Sequence, residues 1–535
     1  MRRMRVALLA LALGSLRCAY LPDSPSESLL VCRNDSECSE GQVCFPDGCG
    51  DPGQHIVVEV TPNPKAGQHA QDFPVDNLRA QQNLELFKPT SLQGKVLRES
   101  LVSGPSTTAY VSTVTVRASG ESLLIPGVTR RYEGTLVPDN GLYQLFIGSG
   151  SYTVTLSAAD PEVPPLRQES VVVEPGHTIG LDFLLPAPTA ITHLAGKVVR
   201  LDATLVNADL EVQALDDALN PLSQRVPVTR ATGDFQLALP PSTAKLDHVL
   251  VQVTVPRAGV LVPQKTFTVD PRPGITPPLE LGDYGDPVTV QGRVVDRDGQ
   301  PVANASVYLQ GKVGGGGQIR STTVATGTDG HFELSSLPSS LDAPMTLYAV
   351  PPTTSSAGIL LQPTAIPRGG AALGDVVCTN KVIVQGTLLG TDGLPAAGVR
   401  VAAEPVGEVP GWPRPAVGTE GDSATDEAGH YSLHLDPGEY RFDFIPAENL
   451  PRVSRFVTVL PSTDLELADF TLSKGRRVTG LVTNSEAQDS PIPGIPYASI
   501  RFFRVVNVEG KPTSVLLAQT VSDSTGTYAA TLPTR

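Results

Sequence analysis

The chain has 535 residues, 40% of them hydrophobic and 5% aromatic, with a net charge of -15 and a pI near 5.0. That length exceeds a single core and suits four or five domains, while the acidic balance, with no Lys/Arg cluster after the first few residues, excludes a nucleic-acid partner. Fifty glycines and 49 prolines are spread along the sequence between alternating Val-, Leu- and Thr-rich runs, a pattern of many strands ending in turns that excludes a disordered chain.

Residues 1–18 read as an export signal. Met1-Arg-Arg-Met-Arg is a basic start, and Val6 to Leu13 is an apolar stretch too short to span a bilayer. Cys18 stands where a bacterial lipoprotein signal places its acylated cysteine, and is the expected lipidation site. Ser15 and Arg17 depart from the large aliphatic and small residues that such signals favour at those places. Cleavage after Gly14, with Ala12 and Gly14 as the small pair, is the competing reading. Any membrane attachment is expected through a lipid, because no later segment approaches about 18 uninterrupted apolar residues.

Residues 30–50 hold Cys32, Cys38, Cys44 and Cys49, four of the six cysteines. In an exported chain so short a segment cannot bury a core, so it reads as a disulfide module with three possible pairings. Zinc is disfavoured by spacings without a C-x2-C pair and by the absence of histidine within the cluster. Cys378, flanked by a strand-like run, reads as a buried, inert thiol. Residues 51–90 form a lead-in, with a short helix expected over 76–86.

From there the chain repeats. Gly94-Lys-Val, Gly196-Lys-Val, Gly292-Arg-Val, Gly386-Thr-Leu and Gly480-Leu-Val open β-like runs at intervals of 94 to 102 residues. A second marker keeps step: Gly141-Leu-Tyr, Gly233-Asp-Phe, Gly330-His-Phe, Gly429-His-Tyr and Gly526-Thr-Tyr. A period near 95 is too long for a solenoid unit and suits a small domain with its own core. Val288 to Val295, the turn Asp296-Arg-Asp-Gly299 and the return run ending in Val307-Tyr-Leu form a hairpin; Val382 to Leu388 begins the same scheme again. Phe332 and Leu334, and likewise Tyr431, Leu433 and Leu435, alternate onto one face. The expected fold is all-β, a tandem array of antiparallel β-sandwiches at 91–189, 190–285, 286–379 and 380–474, with an incomplete fifth at 475–535. Aligned on the fourth repeat, the fifth stops short of its closing strands. Either the sequence is part of a longer chain, or a partner strand completes 475–535, or that segment stays loosely folded.

The strings GRVVDRDGQPVANASVYL and TDGHFELSSLP, and GTLLGTDGLPAAGVRV with DEAGHYSLHLDPGEYRF, resemble the carboxypeptidase regulatory-like domain. The resemblance is strongest in repeats three and four, weakest in repeat two, and spans roughly residues 91 to 535. It implies a seven-stranded, transthyretin-like sandwich without catalytic activity, in a group of carbohydrate-binding-like folds. The Cys-rich segment is similar to short modules near the N-termini of Gram-negative surface lipoproteins.

Catalytic residues, metal ligands and cofactors are not expected. None of the eight histidines begins His-x-x-Glu, and no G-x-S-x-G elbow occurs. His430 and His434, four apart on a strand, lie about 13 Å from each other and cannot share a metal. Asp296-Arg-Asp-Gly299 lacks the remaining ligands of a calcium loop. The run Gly314 to Gly317 lacks the lysine of a phosphate loop and reads as a flexible hairpin tip. Trp412, the one tryptophan, sits in Val409-Pro-Gly-Trp-Pro-Arg-Pro415 and is a possible ligand contact, either a platform for a sugar or partner or a loop folded onto its own sandwich. The expectation is a non-catalytic, envelope-associated lipoprotein at the outer membrane or cell surface, or alternatively in the periplasm or secreted. It acts as a spacer or interaction scaffold toward a protein or glycan. Carbohydrate binding through the sandwich loops and an accessory role beside a secreted hydrolase are the alternatives.

Overall fold

The computed structural model describes strands at 43–45 and 48–50 and residues 56–533, except 64–68, 76–78, 88–89, 101–105, 110–112, 138–140, 273–277, 408, 410–420, 447–449, 462–463, 473, 486–493 and 509–510. It is an all-β protein, and the helical turns among the described residues are three to five residues long. The two repeating sequence markers prove to be two halves of one contact. Tyr143 faces Gly94, Phe235 faces Gly196, Phe332 faces Gly292, Tyr431 faces Gly386 and Tyr528 faces Gly480 as direct cross-strand partners.

Around that contact each repeat folds by one plan. The strand that carries the first glycine lies between the aromatic strand, antiparallel to it, and a late-returning strand parallel to it. In the fourth sandwich these are Val382–Leu389, His430–Leu435 and the pair Leu465–Glu466 and Phe470–Thr471. The second sheet has the order Gly421–Ala424, Arg400–Gly407, Gly438–Ile445, Val453–Val459. Period-2 alternation puts Tyr431, Leu433 and Leu435 inside and leaves His430 and His434 exposed, because residues two apart share a face of the sheet. The second and third sandwiches repeat the plan, and in the first the two sheets run together into one sheet of nine strands. Turn glycines 141, 233, 330, 429 and 526 all take positive φ, and the carbonyl of each accepts a hydrogen bond from the strand that opens its own repeat.

Gly150-Ser-Tyr152 and Gly438-Glu-Tyr440 open equivalent strands in the first and fourth sandwiches, and their tyrosines have a shared physical role. Tyr152 Oη donates to the Gly148 carbonyl and Tyr440 Oη to the Asp436 carbonyl, both at 2.9 Å and both four residues upstream. Each ring is buried in its core, and the hydroxyl pins the corner before the strand.

Two expectations are corrected here. The described part of 76–86 is not helical: it carries the strand Leu84–Leu86. The glycine run 314–317 is not a free tip but the place where the third sandwich presses on the second. A Cβ on Gly314 would lie 2.1 Å from the Asp283 carbonyl oxygen, and one on Gly315 2.3 Å from that of Leu281. Lys265 Nζ donates to the Gly315 carbonyl, and Gln264 and Gln318 exchange backbone hydrogen bonds of 2.8 Å. The glycines serve close approach, and with it the second and third sandwiches share one continuous core.

The largest departure concerns the lead-in and the fifth repeat, which are one sandwich. Strand Ile56–Thr61 pairs antiparallel with Ser499–Val508, Gln71–Val75 pairs with Ile56–Thr61, and Leu84–Leu86 runs parallel to Gly475–Asn484. The sheet orders match those of the fourth sandwich, with Leu84–Leu86 in the place of Phe470–Thr471 and a single bridge, Gln81 to Thr479, in the place of Leu465–Glu466. Residues 475–535 thus hold the first four strands and residues 56–86 the last three, so the array closes on itself: the split sandwich joins the first sandwich on one side and the fourth on the other.

The register predicts a ranked cost for filling the marker glycines. A Cβ on Gly480 would lie 1.9 Å from the backbone oxygen of Gln82, whereas on Gly386 it meets the movable end of Tyr431 at 2.7 Å. Gly480→Ala is therefore expected to destabilise its sandwich by about 3 kcal/mol and Gly386→Ala by distinctly less. Hydrogen exchange is the measurement, and the Gly480 substitution should release protection at residues 57–60 as well as at 478–482.

Candidate interface at the split sandwich

Strand Ile56–Thr61 is buried on both faces, which explains its near-continuous apolar sequence. Val58 and Val60 point into the split sandwich with Phe502, Ile500, Val482 and Tyr528. Val57 and Glu59 point the other way, toward the first sandwich, where Val57 meets Ile125 and Phe503 in a small apolar cluster.

The seam reproduces the first sandwich atom for atom at its centre. Tyr143 Oη donates to the Leu181 carbonyl at 2.5 Å, and Tyr528 Oη donates to the Gln82 carbonyl at 2.5 Å. The Lys95 amide donates to Asp182 Oδ1 at 2.7 Å, and the Leu481 amide to Asn83 Oδ1 at 3.1 Å. Gln82-Asn83-Leu84 therefore stands where Leu181-Asp182-Phe183 stands one repeat later. A sequence signal for this existed. Asp182-Phe-Leu-Leu185, Asp375-Val-Val-Cys378 and Asp469-Phe-Thr-Leu472 each end a sandwich, and Asn83-Leu-Glu-Leu86 has the same form. Leu86 precedes Gly94 by eight residues, as Cys378 precedes Gly386 and Leu472 precedes Gly480. The segment reads as the tail of a domain, a pattern masked by the missing turn markers ahead of it.

Where the split sandwich meets the first, four charges come together, three of them enclosed and the fourth, Arg501, 34% exposed. Arg130 Nη2 donates to Glu59 Oε1 at 2.9 Å and to Asp72 Oδ1 at 2.5 Å, and its Nη1 donates to the Ser149 carbonyl at 3.1 Å. Arg501 reaches the other oxygen of Glu59 through Nε at 2.5 Å, and Ser122 Oγ donates to Asp72 Oδ2 at 2.6 Å. Side-chain exposure is 6% for Arg130, 2% for Glu59 and 0% for Asp72. Two guanidinium groups and two carboxylates cancel, which is the condition for burying them. Burial alone would lower the Arg130 pKa, but the hydrogen bonds and charge of Asp72, aided by Glu59, outweigh it and raise the value. Beside this cluster His69 stacks on Phe146 at 5.5 Å and meets the edge of Tyr132, and burial lowers its pKa. Ser514 Oγ closes the contact on the Pro126 carbonyl at 2.6 Å.

A second polar junction joins the third and fourth sandwiches. Asp436 Oδ1 accepts from the Ile359 amide at 2.8 Å, and Lys381 Nζ donates to the Pro352 and Thr353 carbonyls. Burial raises the Asp436 pKa and lowers that of Lys381.

The residues singled out from sequence lie elsewhere. Cys18, Cys32, Cys38 and Trp412 fall outside the described residues, and Cys44 and Cys49 are Cα partners on the paired strands Val43–Phe45 and Gly48–Gly50. Cys378 is free and buried, with its thiol pKa pushed up to about 12 by burial and then by the charges of Asp436 and Asp296. Asp296 spends Oδ1 on the amides of Asp298 and Gln300 as a turn. Among the described residues no group of three or more His, Cys, Asp or Glu side chains is placed to hold a metal ion, and no helix is long and apolar enough to cross a membrane.

Residues 289–357, within the third sandwich, match the family model of the carboxypeptidase regulatory-like domain. No curated protein matches the chain. Among solved structures, a streptococcal ancillary pilin is 12% identical with a TM-score of 0.24, over 55% of this chain and 99% of its own. GBS52, the minor pilin of Streptococcus agalactiae, is 16% identical with a TM-score of 0.21, over 35% and 96%. The Bacillus anthracis TIE protein is 12% identical with a TM-score of 0.17, over 71% and 73%. Likenesses this distant carry no function to the chain.

Two outcomes test the interface. Arg130→Ala leaves Glu59 and Asp72 enclosed without their shared cation and is expected to cost about 3–5 kcal/mol in chemical denaturation. His69 binds its proton less readily folded than unfolded, so the contribution of its neutral form is complete above its ordinary value of 6.5 and is lost as the pH falls through and below it. The thermal midpoint should drop across that window, and His69→Phe should flatten the drop.

Proposed function

We propose that this chain is a non-catalytic, envelope-associated scaffold, held to a membrane by a lipid on Cys18 and presenting sandwiches that are fastened into a closed array. The supporting observation is the split sandwich: residues 56–86 and 475–535 share one core, so the beginning and end of the array are held in the same domain. Among the described residues, an extended array would hold strands 56–86 and 475–533 apart, and this topology brings them together. The scaffold reading is therefore favoured over the spacer reading. Sandwich-to-sandwich contacts built on buried charges and tight glycine approaches hold recognition surfaces in fixed relation, which preorganises them for a partner.

Lipid anchoring is tested by detergent phase partitioning of the exported protein. The native chain is expected in the detergent phase and Cys18→Ala in the aqueous phase; a mature chain beginning at Ser15 and remaining aqueous rules the anchor out. Mass spectrometry without reduction is expected to find two disulfides confined to Cys32, Cys38, Cys44 and Cys49. Cys378 should be alkylated only after unfolding.

A further inference from the structure

We propose that the split sandwich is an exchange site for a second copy of this chain: residues 56–86 of one molecule complete residues 475–535 of another. The argument begins with complementarity. Opening the seam uncovers Val58, Val60, Leu84 and Leu86 on one half and Val478, Val482, Ile500, Phe502, Tyr528 and Leu532 on the other, all fully or almost fully buried when it is closed. It also unpairs the Ile56–Thr61 and Leu84–Leu86 ladders along their whole length. Such faces and edges demand cover, and each half is shaped for the other alone.

The second step concerns connections. Residues 56–86 run directly into the first sandwich at Ser91, and Arg130 of that sandwich holds Glu59 and Asp72, which both lie on this half. Residues 475–535 follow directly from the fourth sandwich, whose last strand ends at Thr471. Each half thus travels with its own neighbour. Every contact of the seam and of the charged interface, including Arg501 on Glu59 and Ser514 on Pro126, forms equally well whether the halves belong to one molecule or two. Closure within one chain has one added requirement: four sandwiches must curve so that residue 475 returns beside residue 86. That curvature is set by packed junctions, above all the shared core of the second and third sandwiches, and not by flexible linkers. Any misfit in curvature weakens closure within a chain and leaves exchange between chains untouched. The exchanged contact is heterologous, head to tail, so copies link into larger rings or open chains.

The inference shares the split sandwich with the scaffold reading and does not depend on the lipid anchor: loss of the anchor leaves it standing, whereas a locked double variant without a mixed dimer sinks the exchange and leaves the closed array. Thr61 and Ser499 are register partners across the seam, the first exposed and the second half-buried. Full-length Thr61→Cys and Ser499→Cys chains are mixed, unfolded and refolded together over a range of concentrations, and oxidised, with the wild-type chain as background. Expected is a mixed disulfide dimer linked between positions 61 and 499, its share rising with concentration, and wild-type oligomers by light scattering over the same range. In the double variant, low concentration should lock the link within one molecule. A double variant that locks while the mixed dimer stays absent at every concentration overturns the proposal. Failure of the double variant to link at any concentration removes the split sandwich and the proposal with it.

Discussion

The contact between a glycine and the aromatic ring facing it across the strands organises each sandwich. The ring lies over the glycine of the opening strand, and in the first and split sandwiches the carbonyl of the returning parallel strand occupies the space that a Cβ would take, at 1.9 Å from it for both Gly94 and Gly480. The aromatic hydroxyl then bonds that same carbonyl. Three strands that are far apart in sequence are fixed at one point, and the register of the remaining strands follows, since a slip by one residue would turn every core side chain to the opposite face.

The sandwiches are joined by two physically different means. The second and third merge their cores, with glycines letting backbone meet backbone. The third and fourth meet instead through Asp436 and Lys381 hydrogen-bonded to backbone groups across the junction, and the split and first through buried charges, Arg130 between Glu59 and Asp72. A buried ion pair adds little to net stability compared with an apolar contact of equal size, yet misplacing one partner is costly. The charged junctions therefore define geometry more than they add strength, in keeping with a scaffold whose sandwiches hold fixed relations.

The division of one sandwich between residues 56–86 and 475–535 makes the array a circularly permuted series. The first strands of the chain's array are the last strands of a domain, and pairings across 398 to 448 residues close it. Loop closure over such a distance carries a large entropic cost, offset only if the intervening sandwiches are already folded and stacked. Formation of the seam thus carries a closure cost that the four sandwiches built from contiguous sequence do not bear, which gives it a different standing from theirs.

The sequence by itself determined what depends on local pattern. Alternation with period 2 set the strands, the glycine and aromatic markers set the repeat, and the hairpin turns at Asp296 and Asp426 followed from residues within a few positions of one another. The exposed faces of His430 and His434 and the burial of Cys378 were legible for the same reason. Tertiary structure alone decided which half-sandwich completes residues 475–535, why Gly314, Gly315 and Gly317 must lack side chains, and how Arg130 comes to rest between Glu59 and Asp72. In those cases the partners lie tens to hundreds of residues apart. An edge strand or a buried charge reads the same in sequence whatever covers it; only the packed fold supplies the opposite surface.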